Sequence, residues 1–259
     1  LRLGKGNERV KSLGVIILAA GKGTRMKSDL VKVLHPVAGT PMLALTLNLA
    51  RSLRPDRVVV VVGSQRHLVR ERFGAEDLLF VEQEEQLGTG HAVLIASPTF
   101  KNFQGTVLIL CGDVPLLTRE TVKKFIKFHK DGLNTLSVLT TRLENPTGYG
   151  RIFRGKEGQL LRIVEQKDLP AREETIREIN TGIYCIEARF LFKALLGLSD
   201  QNAQKEYYLT DIVAMASSQG EKAAAYLAED STEVMGINTR LDLAKANQYL
   251  RHKIAERHM

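Results

Sequence analysis

Residues 15–26 read VIILAAGKGTRM. The first six are apolar without alternation, the pattern of a strand covered on both faces. Glycine ends the run, so residues 21–28 read as a loop leaving the carboxyl end of that strand. The same unit recurs downstream. Residues 57–62 (RVVVVV) stop at Gly63, residues 78–83 (LLFVEQ) make a third strand, residues 106–111 (TVLILC) stop at Gly112-Asp113, and residues 136–141 make a fifth. Helical stretches separate them. One spans 40–53, with Thr40 as N-cap and Pro41 in the first turn. A short one follows Gly63, another covers 88–96 after its glycines, and a fourth covers 118–130 with Thr118 as cap. Buried strands alternating with helices predict an α/β fold: a Rossmann-like, mainly parallel sheet with helices on both faces. Ligands of such sheets bind beyond the carboxyl ends of the strands, so the chemistry belongs just after each apolar run.

After residue 145 the pattern changes. Residues 146–150 (PTGYG) form a turn cluster, and two short strands, 151–154 and 159–165, flank Gly155-Lys156-Glu157-Gly158 as a hairpin. Residues 168–178 are charged and read as a mobile or helical lid. A strand at 183–187, helices at 189–196 and 207–217, strands at 223–228 and 233–237, and a terminal helix over 239–255 complete the chain. The sheet is therefore expected to be mixed, with a smaller β-rich half added to it. The expected division is a basic tail at 1–11, one domain over 12–238 and a C-terminal helix over 239–259.

Hydrophobic residues make up 44% of the 259 and charged residues 25%, an ordinary globular balance. Two cysteines, Cys111 and Cys185, cannot build a disulfide framework or a CxxC zinc site. No apolar run reaches the roughly 20 residues of a membrane span, and the apolar run near the start is too short for a signal segment. A soluble, cytoplasmic protein is expected. The net charge of +8 raises nucleic acid as a partner, but its placement argues against it. Arg2, Lys5, Arg9 and Lys11 against Glu8, with Arg251, Lys253 and Arg257 against Glu256, hold five of the eight charges at the two termini. The modest positive excess left over the middle suits small anionic ligands.

The glycines after residue 20 let backbone amides approach phosphate oxygens, and turn amides make anion nests. No GK[ST] closes the loop, so it is not a Walker A loop, and Met26 stands where a dinucleotide fingerprint wants glycine. Ala19 and Ala20 are small and leave room for a flat base. Arg25 offers a bidentate guanidinium and Lys32 a compact ammonium, a pair suited to a triphosphate. No GxSxG or HExxH occurs and no cysteine has a neighbouring histidine, which fits direct displacement without a covalent enzyme intermediate.

GxGTRM followed by Lys32-Val33-Leu34-His35 resembles the signature of the sugar-phosphate nucleotidyltransferases. Within them it is most similar to the uridylyltransferase domains that make UDP-N-acetylglucosamine for peptidoglycan and cell-wall synthesis. Further segments appear in order: 86–92 (QLGTGHA), 112–116 (GDVPL), 146–152 (PTGYGRI), 163–165 (IVE), 178–183 (EINTGI) and 206–211 (EYYLTD). The likeness covers about residues 13–250. It implies transfer of UMP from UTP to N-acetylglucosamine 1-phosphate, with pyrophosphate leaving and Mg²⁺ as cofactor. The alternatives are a transferase for another sugar 1-phosphate, such as glucose 1-phosphate, and a non-catalytic nucleotide-sugar sensor. The resemblance further implies a cut or stand-alone form of a longer enzyme. That enzyme carries a β-helix acetyltransferase domain, whose hexapeptide repeats do not occur in this sequence.

The resemblance also implies roles. Leu18, Ala19, Ala20 and Gly21 would line the nucleotide, Arg25 and Lys32 would be the catalytic cations, and Cys111-Gly112-Asp113 would close the other side. Gln83, Gly88 and Thr89 match the uracil-reading segment; a side-chain amide offers both a donor and an acceptor to a base edge. Asp113 and Asn238 would hold Mg²⁺ between the sugar phosphate and the α-phosphate. Gly150, Glu165 and Asn180 match the sugar pocket, with Tyr208 and Thr210 on its opposite wall. Read without the family, Asn238 suits a helix N-cap or turn, Asp113 a turn before Pro115, and Glu165 an exposed partner of Lys167. His91 suits a packed or capping histidine better than a catalytic base, because a phosphate monoester oxygen is already anionic. Two positions depart from the family pattern: Val31 where proline usually precedes the lysine, and Cys111 where tyrosine is common.

Overall fold

The computed structural model describes residues 12–63 and 65–258; the tail expected at 1–11 lies outside the described residues. In chain order, β1 (Ser12–Ala19) enters the glycine loop. A tight hairpin, β2 (Pro36–Val37) and β3 (Thr40–Pro41), leads into α1 (Met42–Ser52). Then come β4 (Arg57–Val62), α2 (Arg66–Phe73), β5 (Leu78–Glu82), α3 (Thr89–Ala96), β6 (Gly105–Cys111), α4 (Arg119–Asp131) and β7 (Leu136–Arg142). The hairpin β8 (Arg151–Arg154) and β9 (Leu160–Val164) precedes β10 (Glu178–Glu187), α5 (Ala188–Leu195), α6 (Asp211–Ser218), β11 (Ala223–Leu227) and α7 (Arg240–His258).

Among the described residues the main sheet runs β11-β7-β10-β6-β1-β4-β5, with the β8–β9 hairpin hung on β10. The pairs β1–β4, β1–β6, β4–β5 and β7–β11 are parallel, and β10 is antiparallel to both β6 and β7. The mixed, mainly parallel α/β sheet is thus as expected. Both faces of its centre are covered, which explains the unbroken apolar runs. Val15, Ile17, Val58, Val60, Leu108 and Leu110 face Leu43, Leu47 and Phe125 of α1 and α4. Ile16, Val59, Val61, Val107 and Ile109 face Val93, Leu191 and Ile212 of α3, α5 and α6.

Successive strands β1, β4 and β5 step outward one way, and β6 then returns to the other side of β1. The crevice opened by such a reversal lies at the carboxyl ends of β1 and β6, between the glycine loop and Asp113.

Three local expectations are corrected. Thr40 and Pro41 do not open α1; they form β3. Ala38 and Gly39 both take positive φ (49° and 85°), making a two-residue hairpin turn that pairs Val37 with Thr40. Residues 207–210 are not helical, and α6 starts at Asp211. Residues 233–237 are not a strand. Ser231–Val234 is a 3-10 turn capped by Asp230, and the Ile237 amide then bonds the Asp113 carbonyl at 2.8 Å. The charged stretch expected as a lid consists of two 3-10 turns, Gln166–Asp168 and Ala171–Glu173, before β10 begins at Glu178.

Candidate active site

The glycine loop turns back on itself through Gly23, which sits at φ 63°, and the Met26 amide bonds the Gly23 carbonyl at 2.8 Å. A Cβ at Gly23 would lie 2.6 Å from the Lys32 Cβ, so glycine lets the loop pack on the stem of Lys32. Met26, where a dinucleotide fingerprint has glycine, is fully buried and anchors the loop. Gly21 has open space where a Cβ would be. Leu18, Ala20, Gly21, Gln83, Gly88, Thr89, Cys111 and Asp113 all line one cavity of about 430 Å³ at the carboxyl ends of the strands. Ala19 is buried beneath the loop, and the Gly112 amide bonds the Leu18 carbonyl at 2.9 Å, stitching β6 to β1 at the cavity floor.

Two distant oxygens meet at the rim. The Ile237 bond to Asp113 brings the next residue, Asn238, beside the Asp113 carboxylate. Lys32 Nζ donates to Asp113 Oδ2 and, at 2.7 Å, to Asn238 Oδ1; Arg25 Nη2 donates to the same Oδ1 at 2.9 Å. Asn238 is not the helix cap. Thr239 is: its Oγ1 accepts from the Asp242 amide at 3.1 Å, while Asp242 Oδ2 accepts from the amides of Asn238 and Thr239 at 3.1 and 2.8 Å. This reciprocal capping box leaves the Asn238 side chain free to face the cavity rim.

Gln83 is buried at the end of β5. Its Nε2 donates to the Gly88 carbonyl at 3.0 Å and lies 3.1 Å from His91 Nδ1. The carbonyl can only accept, so the amide nitrogen must face it; both amide hydrogens are then committed and Oε1 is left as an acceptor. His91 orients Gln83 and makes no bond to Asp113 or Lys32 among the described residues. Gly88, at φ 109°, caps α3, and a Cβ there would meet the Tyr207 carbonyl at 2.7 Å. The segment 206–211 is bound to this turn by Tyr207 N to Leu87 O (2.7 Å), Gly90 N to Tyr207 O (2.7 Å) and Leu209 N to Thr89 Oγ1 (3.1 Å). Cys111 Sγ donates to the Gly182 carbonyl at 3.4 Å, and burial pushes its thiol well up, which disfavours the nucleophilic thiolate.

A second group gathers around the β8–β9 hairpin. The Asn180 amide bonds the Gly150 carbonyl at 2.9 Å, and a Cβ at Gly150 would lie 3.4 Å from both Glu165 carboxylate oxygens. Glu165 Oε1 accepts from Thr210 Oγ1 at 3.2 Å, and no Glu165–Lys167 ion pair forms among the described residues. Burial raises the Glu165 carboxyl above its ordinary value, against the lowering effect of the Thr210 bond. The Tyr208 hydroxyl, which burial pushes up to about 12, bonds Asp168 at 3.2 Å and accepts from Gln204 at 2.8 Å.

Sequence reasoning assigned no role to Gln86, Asp168 or Asp242. Gln86 lines the cavity and donates to the Ala20 carbonyl at 3.1 Å; Asp168 ties the 3-10 turn to Tyr208 and, at 2.9 Å, to the Ala203 amide. Only Asp242 had a readable signal, the Thr-x-x-Asp spacing of a capping box. A larger recess, about 710 Å³, opens near the amino ends of the strands between Leu13, Arg54, Lys123, Ile126 and Lys130. Its lining also carries Ser12, Ser52, Asp56 and Asp131; Ser52 donates to the Leu49 carbonyl at 2.6 Å, Asp56 accepts from the Leu13 amide at 2.9 Å and Asp131 pairs with Lys127.

Residues 14–251 match the family model described as nucleotidyl transferase. The chain belongs to the nucleotidyl transferase family. Among curated relatives, the "Bifunctional protein GlmU" of Geobacter metallireducens is 55% identical over 93% of this chain. Those of Pelobacter propionicus and Geobacter sulfurreducens are 54% and 52% identical over 95% and 96%. The chain spans about half the length of these relatives, 51%, 54% and 52% respectively. A crystal structure of a putative glucose-1-phosphate thymidylyltransferase from Bacillus anthracis has the same fold, with TM-score 0.73 at 18% identity over 93% of this chain and 96% of that one. Among the described residues of this nucleotidyl transferase, no helix is long and apolar enough to cross a membrane.

Proposed function

We propose that this nucleotidyl transferase moves UMP from UTP to N-acetylglucosamine 1-phosphate, giving UDP-N-acetylglucosamine and pyrophosphate, with Mg²⁺ as cofactor. The observation that carries the reading is the convergence of the Asp113 carboxylate and the Asn238 amide oxygen at the rim of the glycine-lined cavity, with Lys32 on both oxygens and Arg25 on that of Asn238.

The donor chemistry fits magnesium. Both oxygens are hard, they already converge on a cationic atom, and Mg²⁺ takes one or two protein oxygens and fills its shell with phosphate and water. When bound, it supplies positive charge against the phosphate oxygens during displacement. The chain's own residues do the rest by positioning and electrostatics. Residues 18–21 and Gly112 hold the nucleotide against their backbone. Arg25 and Lys32 neutralise the triphosphate and the departing pyrophosphate as the sugar-phosphate oxygen forms its bond to the α-phosphorus. Gln83 has only Oε1 left to offer, which pairs with the N3–H of uracil and repels the N3 lone pair of cytosine. Gly88 and Thr89 fix the turn that holds the base. Glu165 and Asn180 accept from sugar hydroxyls across the space left by Gly150, with Thr210 orienting Glu165 and Tyr208 closing the wall. Cys111 packs beneath the nucleotide and takes no part in the chemistry.

The test is pyrophosphate release with UTP, CTP and dTTP against N-acetylglucosamine 1-phosphate and glucose 1-phosphate. UTP with the N-acetylated sugar should be fastest, and Asp113→Ala should lower kcat about a hundredfold or more. Near-normal turnover by Asp113→Ala refutes the metal assignment, and no release with any pair makes the chain a binding protein.

A further inference from the structure

Lys32 is one-tenth exposed, and its ammonium lies on the two oxygens that the proposed reading gives to the metal. Asn238 Oδ1 accepts from both Lys32 and Arg25, which uses its two lone pairs. Two cations thus face a single carboxylate. The next carboxylate, Asp242, is committed to the backbone amides of residues 238 and 239. Asp242 keeps its charge in those bonds, so Lys32 and Arg25 balance Asp113 and Asp242, and a divalent cation entering this already neutralised arrangement would make it net positive in a partly buried place where screening is weak.

We infer that Lys32 is a removable counter-cation: it holds the metal position closed in the substrate-free protein, and the arriving triphosphate draws it off. The inference rests on the proposed activity and deepens it, making divalent-cation binding conditional on nucleotide. The geometry permits the exchange. The Lys32 stem runs along the loop at Gly23, so its head can turn from Asp113 toward phosphates seated on that loop without moving the backbone. The triphosphate brings several negative charges, which satisfy Lys32 and Arg25 and free both oxygens together. Coupling of this kind is reciprocal, so the metal strengthens nucleotide binding by the same factor.

The experiment is a Mn²⁺ titration of the whole chain without nucleotide, read by the loss of the free-ion electron paramagnetic resonance signal. Lys32→Met keeps the stem and removes the charge. It should bind Mn²⁺ about tenfold or more tightly than the unmodified protein, and Asp113→Asn added to it should abolish that gain. Equal affinities for the unmodified protein and Lys32→Met overturn the inference. Should Lys32→Met fail to fold, crystals of the unmodified protein soaked in Mn²⁺ without nucleotide decide the matter. An anomalous peak between residues 113 and 238 with Lys32 still in contact refutes it, and absence of a peak at concentrations that saturate the nucleotide complex supports it. These readouts use no turnover. Failure of the proposed activity would show instead as absent pyrophosphate release by the unmodified protein.

Discussion

Glu165 carries opposite demands on stability and binding. Burial raises its carboxyl above the ordinary glutamate value of 4.5, and the Thr210 hydroxyl offsets only part of that. A folded-state value above the unfolded one means that ionising the group costs stability. The cost is absent below about pH 4.5 and is fully present once pH has risen through the raised value. Glu165→Gln should therefore raise Tm at pH 8, with the advantage shrinking to nothing on acidification. The same change removes one acceptor and should raise KM for the sugar phosphate severalfold while leaving KM for UTP unchanged. Scanning calorimetry at pH 4 and pH 8 with steady-state kinetics checks both; a Tm shift equal at the two pH values would falsify the burial argument. Glu165 was singled out in the sequence through the family resemblance of its segment. Its contact with Thr210 was not legible: Thr210 lies far along the chain, and no local spacing announces the contact.

At the scale of elements, the link that matters joins β6 to α7. Asn238 reaches Asp113 because the Ile237 amide bonds the Asp113 carbonyl and because the capping box of Thr239 and Asp242 starts α7 at the next turn. Ile237 also sits with Val37, Met42, Leu116 and Ala246 in a small core that seats α7 against the β2–β3 hairpin. Removing Asp242 frees two amides at the helix start. Asp242→Ala should cost about 1 kcal/mol of stability and should lower kcat about tenfold, because Asn238 loses its backbone anchor. Asp242→Glu, which keeps a carboxylate in the N-terminal turn, should restore the stability better than the rate. Urea denaturation and pyrophosphate release measure the two. A variant that loses stability but keeps its rate would show that the Ile237–Asp113 bond places Asn238 without the capping box. Elements with long apolar runs were readable because both sheet faces are covered. Thr40-Pro41 misled because a threonine before proline suits an N-cap as well as the second strand of a tight hairpin. The positive φ of Ala38 that decides between them is a backbone fact that alanine does not advertise. Residues 233–237 misled in the same way, since an apolar residue pointing into a core looks alike on a strand and on a capped turn.

Across the whole molecule, the two clusters of the site sit on different structural supports. The cavity between the glycine loop and Asp113 rests on the parallel centre of the sheet, whereas Gly150, Glu165 and Asn180 rest on β10 and the hairpin hung from it. They are joined by β10 pairing with β6, and by the segment 206–211, which bonds Thr89 through Leu209 and Glu165 through the next residue, Thr210. The order of the strands explains why the apolar runs pointed to the place of the first cluster, whereas the second came from the family resemblance alone. Parallel strands place their loops at one end by rule, while an antiparallel strand and a hairpin can lie on either edge. A ligand spanning both clusters should therefore stabilise more of the molecule than one occupying the cavity alone. Saturation at about a hundred times Kd adds about 2.7 kcal/mol, which for a chain of this size raises Tm by about 5–10 °C. At equal and fixed concentration, UDP-N-acetylglucosamine should give the larger shift and UDP a smaller one. Asn180→Ala should reduce the shift from the sugar nucleotide to that from UDP while leaving the UDP shift intact. Identical shifts for the two ligands in the unmodified protein would mean that the sugar does not reach β10. The group around Glu165 would then be structural, and the nucleotide cavity would stand without it.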